Sequence, residues 1–359
     1  MKKKIIKLLC CITALITLCG CDGTSVKRTK DVTSLITQTS VIKKTKITEN
    51  EDFTEFFKTF KSDFLTPGLM EGIIPQGICY DETTGYFLIS GYYEDGELPS
   101  MIMAVDSNTG KLVGSYPLKT TNGDDYFGHA GGIASSQNTI YLTSGGECYT
   151  IPSIDIKNHK NGSPLHFKGK FKLNTAGSFA CIHNNVLWIG DFIESSTEGR
   201  SIAQNVTTLT TGETFYAYCE GYLLKDGLPD TKKINTESNG YIPDYMLAIP
   251  EQVQGMAFTK SEKIVFSTSY GRKNNSKIYI FDDVLAYEKV DTITIDNHPI
   301  DVLACSSDYL LKEIIAPPMA EGLANTADGI YMLFESGASK YRSHRGKNPV
   351  ENVYFTTIE

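Results

Sequence analysis

The chain has 359 residues, with 34 Lys and Arg against 42 Asp and Glu, a formal net charge of -8. No dense basic stripe with interleaved aromatics interrupts that acidic balance, which excludes nucleic acid as the partner. Once the N-terminal region is set aside, about 310 residues remain, enough for one large repeat domain or two ordinary ones.

Lys2, Lys3 and Lys4 precede a mostly apolar run from Ile5 to Leu18, which closes on Leu18-Cys19-Gly20-Cys21. That order predicts a secretory signal over residues 1–21. Leu-x-Gly-Cys resembles a bacterial lipobox, with Cys21 as the lipidated residue. The expectation is a domain held at the cell membrane on its extracytoplasmic face, since acyl chains anchor by burying methylene groups. Residues 22–50 are rich in Thr, Ser and Lys and read as a tether. The β-branched stretch Ser40–Thr48 is a candidate for an extra strand of the domain, which takes residues 51–359.

Phe53, Phe56, Phe57, Phe60 and Phe64 recur at helical spacing, predicting a short helix over Asp52–Phe64 ended by Thr66-Pro67-Gly68. A short phrase then recurs five times, at Pro75-Gln76-Gly77-Ile78, Gly131-Gly132-Ile133-Ala134, Gly177-Ser178-Phe179-Ala180, Gln254-Gly255-Met256-Ala257 and Glu321-Gly322-Leu323-Ala324. Each copy leads through a turn into a second strand-like run, such as Tyr86–Gly91, Ile140–Gly145 or Ile264–Ser269. Such a repeat predicts an all-β fold, a β-propeller of five blades, with six as the second choice. The fourth strand of the fourth blade is expected at Thr292–Ile295. A sixth blade would have to lie in Asp226–Ala248 or Pro299–Ile315. The ring must close, and Ser40–Thr48 is the candidate closing strand.

Beyond Cys21 stand Cys79, Cys148, Cys181, Cys219 and Cys305, an odd number with no C-x-x-C pair. They read as buried thiols, one disulfide remaining open. Innermost propeller strands line a central channel, so the polar residue at each strand start faces its mouth. Those residues are Gln76, His129 with Gly131, Ser178, Gln254 and Glu321. Ends of the second strands reach the same rim and add Asp191, Arg272 and Glu335. The expected ligand set is Gln76, Ser178, Asp191, Gln254, Arg272 and Glu335, with Glu321 and His129 as candidate catalytic groups. Glu321, Gln76 and Gln254 offer oxygens for a calcium ion.

Ile74–Gly77, Gly128–Ile133, Phe266–Arg272, Pro318–Gly322 and Leu333–Ala338 together resemble a set of secreted bacterial propeller proteins, over about residues 70 to 345. The Glu321-Gly322 pair is similar to gluconolactonase-like propellers, whose Glu at an innermost strand binds a divalent cation. The resemblance implies cation chemistry at Glu321, but this chain carries Gln76 and Gln254 at two other strand starts. Five-bladed glycosidases, a third comparison, need two carboxylates at about 5–10 Å; Asp191, Glu321 and Glu335 are the acids on offer. Three functions are thus expected in turn: binding of a small polar or carbohydrate ligand or a protein partner, hydrolysis as a lactonase or glycosidase through Glu321, and an envelope scaffold. No G-x-S-x-G, P-loop or H-E-x-x-H occurs.

Overall fold

A computed structural model describes residues 36–42, 51–194, 206–230, 234–236, 240–343 and 348–359. Cys21, the signal sequence and most of the tether lie outside the described residues. What is described is an all-β propeller with a short helix near its start.

Hairpins make the sheets, and their turns show why. Gln137-Asn138, Asn184-Asn185 and Asp296-Asn297 all take positive φ. Each pair joins two strands that meet directly across it, as Ser136 faces Thr139, His183 faces Val186 and Ile295 faces His298. Two-residue turns of this hand match the strand twist, and Asn tolerates the left-handed region.

Four sheets are regular blades. The first runs through Ile73–Asp81, Tyr86–Tyr93, Met101–Asp106 and Leu112–Lys119, with the two-residue strand Leu165–His166 added in parallel. The second takes Gly132–Ser136, Thr139–Ser144, Glu147–Pro152 and Gly169–Lys172. Another is built from Val253–Phe258, Ile264–Thr268, Ser276–Phe281 and Leu310–Ala316. The last joins Ala320–Asn325, Ile330–Phe334 and Asn352–Thr356 to Lys61–Leu65 from the N-terminal side. Between the second and the Val253–Ala316 blade stands a seven-stranded composite sheet. It begins with Phe179–His183, Val186–Gly190, Ala217–Lys225 and Tyr245–Ile249 and continues into His298–Ala304 and Asp291–Ile295, with the short Leu228–Pro229 paired to Ala217–Lys225 off that path.

The expected count of five or six like blades is therefore corrected to four regular blades plus this composite. Asp291–Ile295 is not the fourth strand of its own blade. It pairs with His298–Ala304, which lies parallel to Tyr245–Ile249 in the composite. Neither proposed sixth-blade segment forms a blade. The closing strand is Lys61–Leu65 rather than Ser40–Thr48. Ser40–Ile42 form no strand; the amides of Val41 and Ile42 donate to the Glu351 carboxylate at 2.7 and 2.9 Å, and 43–48 lie outside the described residues. The helix spans only Thr54–Thr59, and Phe64 belongs to the closing strand.

The first strands of the five sheets pack side by side in a ring. Apolar clusters fill the spaces between successive sheets, such as Leu88, Ile102, Ile133 and Leu142 between the first two, and Ile78, Phe87, Leu333 and Val353 between the first and last. Close approach at the axis demands the glycine of the repeated phrase. A Cβ on Gly255 would stand 2.7 Å from the Leu323 nitrogen. In the third copy the same place is held by Phe179, and there Gly190 on the paired strand leaves room for the ring.

Candidate functional site

At three of the five innermost strands the pairing register slips, between Pro75 and Ile78, Val253 and Gly255, and Ala320 and Leu323. The irregularity contains Gln76, Gln254 and Glu321 respectively. Extra residues of this kind bend a strand and re-aim a side chain. The Gly131 and Ser178 copies pair without a slip. Left-handed backbone at Gln252 and Met319 sets the approach to two of the slips. The three longest polar side chains at the strand starts are thus the ones turned toward the channel mouth.

The mouth is a cavity of about 410 Å³. Gln76, Ser178, Gln254 and Glu321 line it from the strand starts, Tyr92, Ser144, Phe192 and Glu335 from the second-strand side, and His129 and Tyr341 from loops and the short helix Ser339–Ser343. Beside it opens a further space of about 200 Å³ between Phe192, Tyr270, Arg272, Glu335 and Tyr341. Of the expected residues, Glu321, His129, Gln76, Ser178, Gln254 and Glu335 meet in the first space, and Arg272 borders the second.

Asp191 does not join them. It is fully buried behind the wall, where its carboxylate accepts the Ala176 amide. Its neighbour is Glu220, also fully buried, which accepts the Tyr222 hydroxyl and, at 3.4 Å, the Asn174 amide. Burial first, and the Asp191 charge in addition, push the Glu220 carboxyl up to about 8, against the pull of the Tyr222 hydrogen bond. Strand alternation explains the misplacement: Asp191 continues the face of Ile189, which is packed against the second sheet.

Glu321 and Glu335 meet at the floor, near enough that each bears on the other's ionisation. Gln254 Nε2 donates to Glu321 Oε1 at 3.3 Å, and Gln76 Nε2 donates to Glu335 Oε2 at 3.1 Å. The Tyr341 and Tyr92 rings line the same wall beside Glu335. Burial, then the charge of Glu335, drives the Glu321 carboxyl far above the carboxylate range. Burial raises Glu335 to about 7, opposed by the neighbouring Tyr341, Glu321 and Gln76. Two neighbouring carboxyls do not both ionise readily, so the pair as a whole keeps a proton to higher pH than a free carboxyl would. Burial, with the Glu335 charge second, lifts the Tyr92 phenol to about 12. Burial and then the Lys340 charge lower His129, whose ring lies 4.6 Å from that of Tyr92. The floor therefore presents an acid, a base and a neutral imidazole in one cavity.

Sequence reasoning did not assign Tyr341, which reaches Glu335 from a helix outside the repeat, or the buried partnership of Glu220 with Asp191. It also missed the slips, although the polar-Gly dipeptides Gln76-Gly77, Gln254-Gly255 and Glu321-Gly322 mark them. Calcium fits this floor poorly. Both amides turn nitrogen, not oxygen, toward the carboxyls. A cation would require both amides to reverse. Among the described residues no group of three or more His, Cys, Asp or Glu is placed to hold a metal ion.

The far mouth is about 580 Å³ and is lined by Cys79, Asp81, Cys181 and Asn325 among others. Asp81 there is taken up by Thr84, Ser135 and Ser153. All five described cysteines are free and buried. The waist between the mouths, ringed by Gly77, Gly132, Gly255 and Gly322, leaves no water-sized space.

No family model and no curated protein sequence matches the chain. Among solved structures it is similar to glutaminyl cyclase from Myxococcus xanthus, at 10% identity over 84% of this chain and 97% of the other, with a TM-score of 0.42. It is also similar to the PQQ-bound aldose sugar dehydrogenase of Streptomyces coelicolor (12% identity, 83% and 97% covered, TM-score 0.36) and to regucalcin, a calcium-binding protein from Agrobacterium tumefaciens (10%, 80% and 90%, 0.35). None of them carries a site residue over to this chain.

Proposed function

We propose that the protein is a lipid-anchored, extracytoplasmic propeller that binds a small polar ligand at the Glu321 mouth, the composite sheet serving as an enlarged fifth blade. One observation carries the binding reading. A buried and a half-buried carboxyl meet at the floor of an open cavity, each held by an amide, with two Tyr rings in the same wall. Such an ionisable pair is costly to maintain, and its position at the one end of the channel where three strands are re-aimed favours a ligand over a packing role. A ligand bound there raises the melting temperature of the wild type. Replacing Glu321 with Gln, a near-isostere, removes that rise while leaving the unliganded melting temperature within a few degrees. Unchanged ligand response in the variant overturns the assignment.

Acid–base hydrolysis is the second reading, favoured by the same pair because it keeps a proton to higher pH than a free carboxyl would. Turnover of a lactone or glycoside, abolished by Glu335→Gln, separates enzyme from binding protein. Calcium is the weaker companion of either reading, and a chelator is expected to leave the melting temperature unchanged. The anchor rests on the lipobox. Cys21→Ala is expected to move the protein from the membrane fraction to the soluble one.

A further inference from the structure

We propose that the ligand is an organic ammonium, and more narrowly a zwitterion, whose amine seats on Glu321 and Glu335 while its anionic end meets Arg272. This rests on the reading of the mouth as a ligand site and narrows its chemical class.

Charge is laid out along the cavity. The floor holds two neighbouring carboxyls, Glu321 bonded by Gln254 and Glu335 by Gln76, with no Lys or Arg hydrogen-bonded to either among the described residues and only the more distant charge of Lys340 acting on Glu335. A proton is the smallest cation that satisfies such a pair. An ammonium is the next, and it brings three N–H donors in place of one. A sugar hydroxyl supplies a donor but no charge, so the second carboxyl stays protonated and the pair gains little. An anion is opposed by the floor outright.

The walls suit the same group. Tyr92, Tyr341 and Phe192 line the cavity, and aromatic faces attract a desolvated cation. His129, neutral for the reasons above, adds a ring without adding charge. At the outer end the order of charge reverses. Arg272 borders the adjoining space together with Glu335, its guanidinium 5.0 Å from the Tyr341 ring, and it makes no ion pair among the described residues. Lys340 approaches the same ring at 5.6 Å. Negative floor, aromatic middle and positive rim together match a molecule with an amine at one end and a carboxylate at the other. When the amine enters, the pair's proton leaves to solvent, and no bond is made or broken in the ligand.

Titration calorimetry of the purified domain at pH 6, in two buffers of different ionisation enthalpy, tests this with six probes. Three are zwitterions (glycine, 4-aminobutyrate and 6-aminohexanoate) and three are butylamine, butyrate and methyl glucoside. At least one zwitterion is expected to bind about tenfold or more tighter than butylamine, with release of about one proton. Butyrate and the glucoside are expected not to bind. Arg272→Met should bring the zwitterion down to butylamine's affinity and leave butylamine itself unchanged. Binding of the glucoside or butyrate without the amines overturns the ammonium class and leaves the mouth a ligand site. Binding of none of the six by folded protein overturns both.

Discussion

Glu321 is buried at the floor and Glu335 half-buried beside it, so their ionisation is also a matter of stability. A carboxyl whose folded value lies above its unfolded value binds more protons in the folded chain, and its contribution to stability is present at low pH and lost as pH rises. For Glu335 the window runs from about 4.5, its ordinary value, to about 7. The difference is on the order of 3 kcal/mol. The melting temperature is therefore expected to fall between pH 5 and pH 8, and Glu335→Gln should flatten that slope in a thermal melt series. An equal slope in the variant would assign it to another group. Glu220 is the natural rival, because its rise to about 8 starts the same loss at about 4.5 and extends it to about 8. One Glu220 oxygen is buried with no hydrogen-bond partner. Glu220→Gln keeps the acceptor for Tyr222 and removes the charge, so the variant should melt higher than the wild type at pH 9 and nearly with it at pH 5.

At the scale of elements, the closing strand shows what short-range pattern can and cannot tell. The Phe spacing from 53 to 64 is helical, and its first half forms a helix. Phe56 is wholly buried, its ring 4.8 Å from Phe60 and 5.8 Å from Phe334. Beyond Phe60 the chain pairs Lys61 with Phe355 and Leu65 with Asn352. That partner lies almost 300 residues away, so no local signal could favour strand over helix there. The same holds for Asp291–Ile295, whose alternation reads correctly as a strand but whose neighbour is set by the composite sheet. Strand existence and the polar residues at the strand starts were legible because turns and alternation are local. Register slips, the outer sheet partners and the face taken by Asp191 were not, since each depends on a second strand. Phe56→Ala is expected to cost about 3–5 kcal/mol in urea denaturation. Phe57→Ala, at a half-buried position, should cost clearly less, and equal losses would mean that the helix packs by another face.

On the scale of the whole molecule, stability is tied to closure of the ring. Each sheet buries both faces against its neighbours, so a fault at the axis is felt by two inter-sheet cores at once. Gly322 sits at such a point. A Cβ there would lie 2.8 Å from the Ile78 nitrogen and 3.0 Å from Gly77 Cα, on the first sheet across the closing seam. Both obstacles are backbone, and the opposing strand is itself held by the first blade. Relief therefore requires the last blade to shift as a body, carrying Glu321 and Glu335 together away from Gln254 and Gln76 on the neighbouring blades. Overpacking of a rigid site costs about 1–3 kcal/mol, occasionally more. Gly169 provides the control. Its added Cβ would meet nothing nearer than the Thr150 hydroxyl at 3.4 Å, out on the rim of the second blade. Gly322→Ala should lose at least about 2 kcal/mol in urea denaturation and disturb ligand response together with it, whereas Gly169→Ala should stay within about 0.5 kcal/mol. If the two variants unfold alike, the blades close with more slack than the Gly322 contact allows, and the floor pair does not depend on the seam.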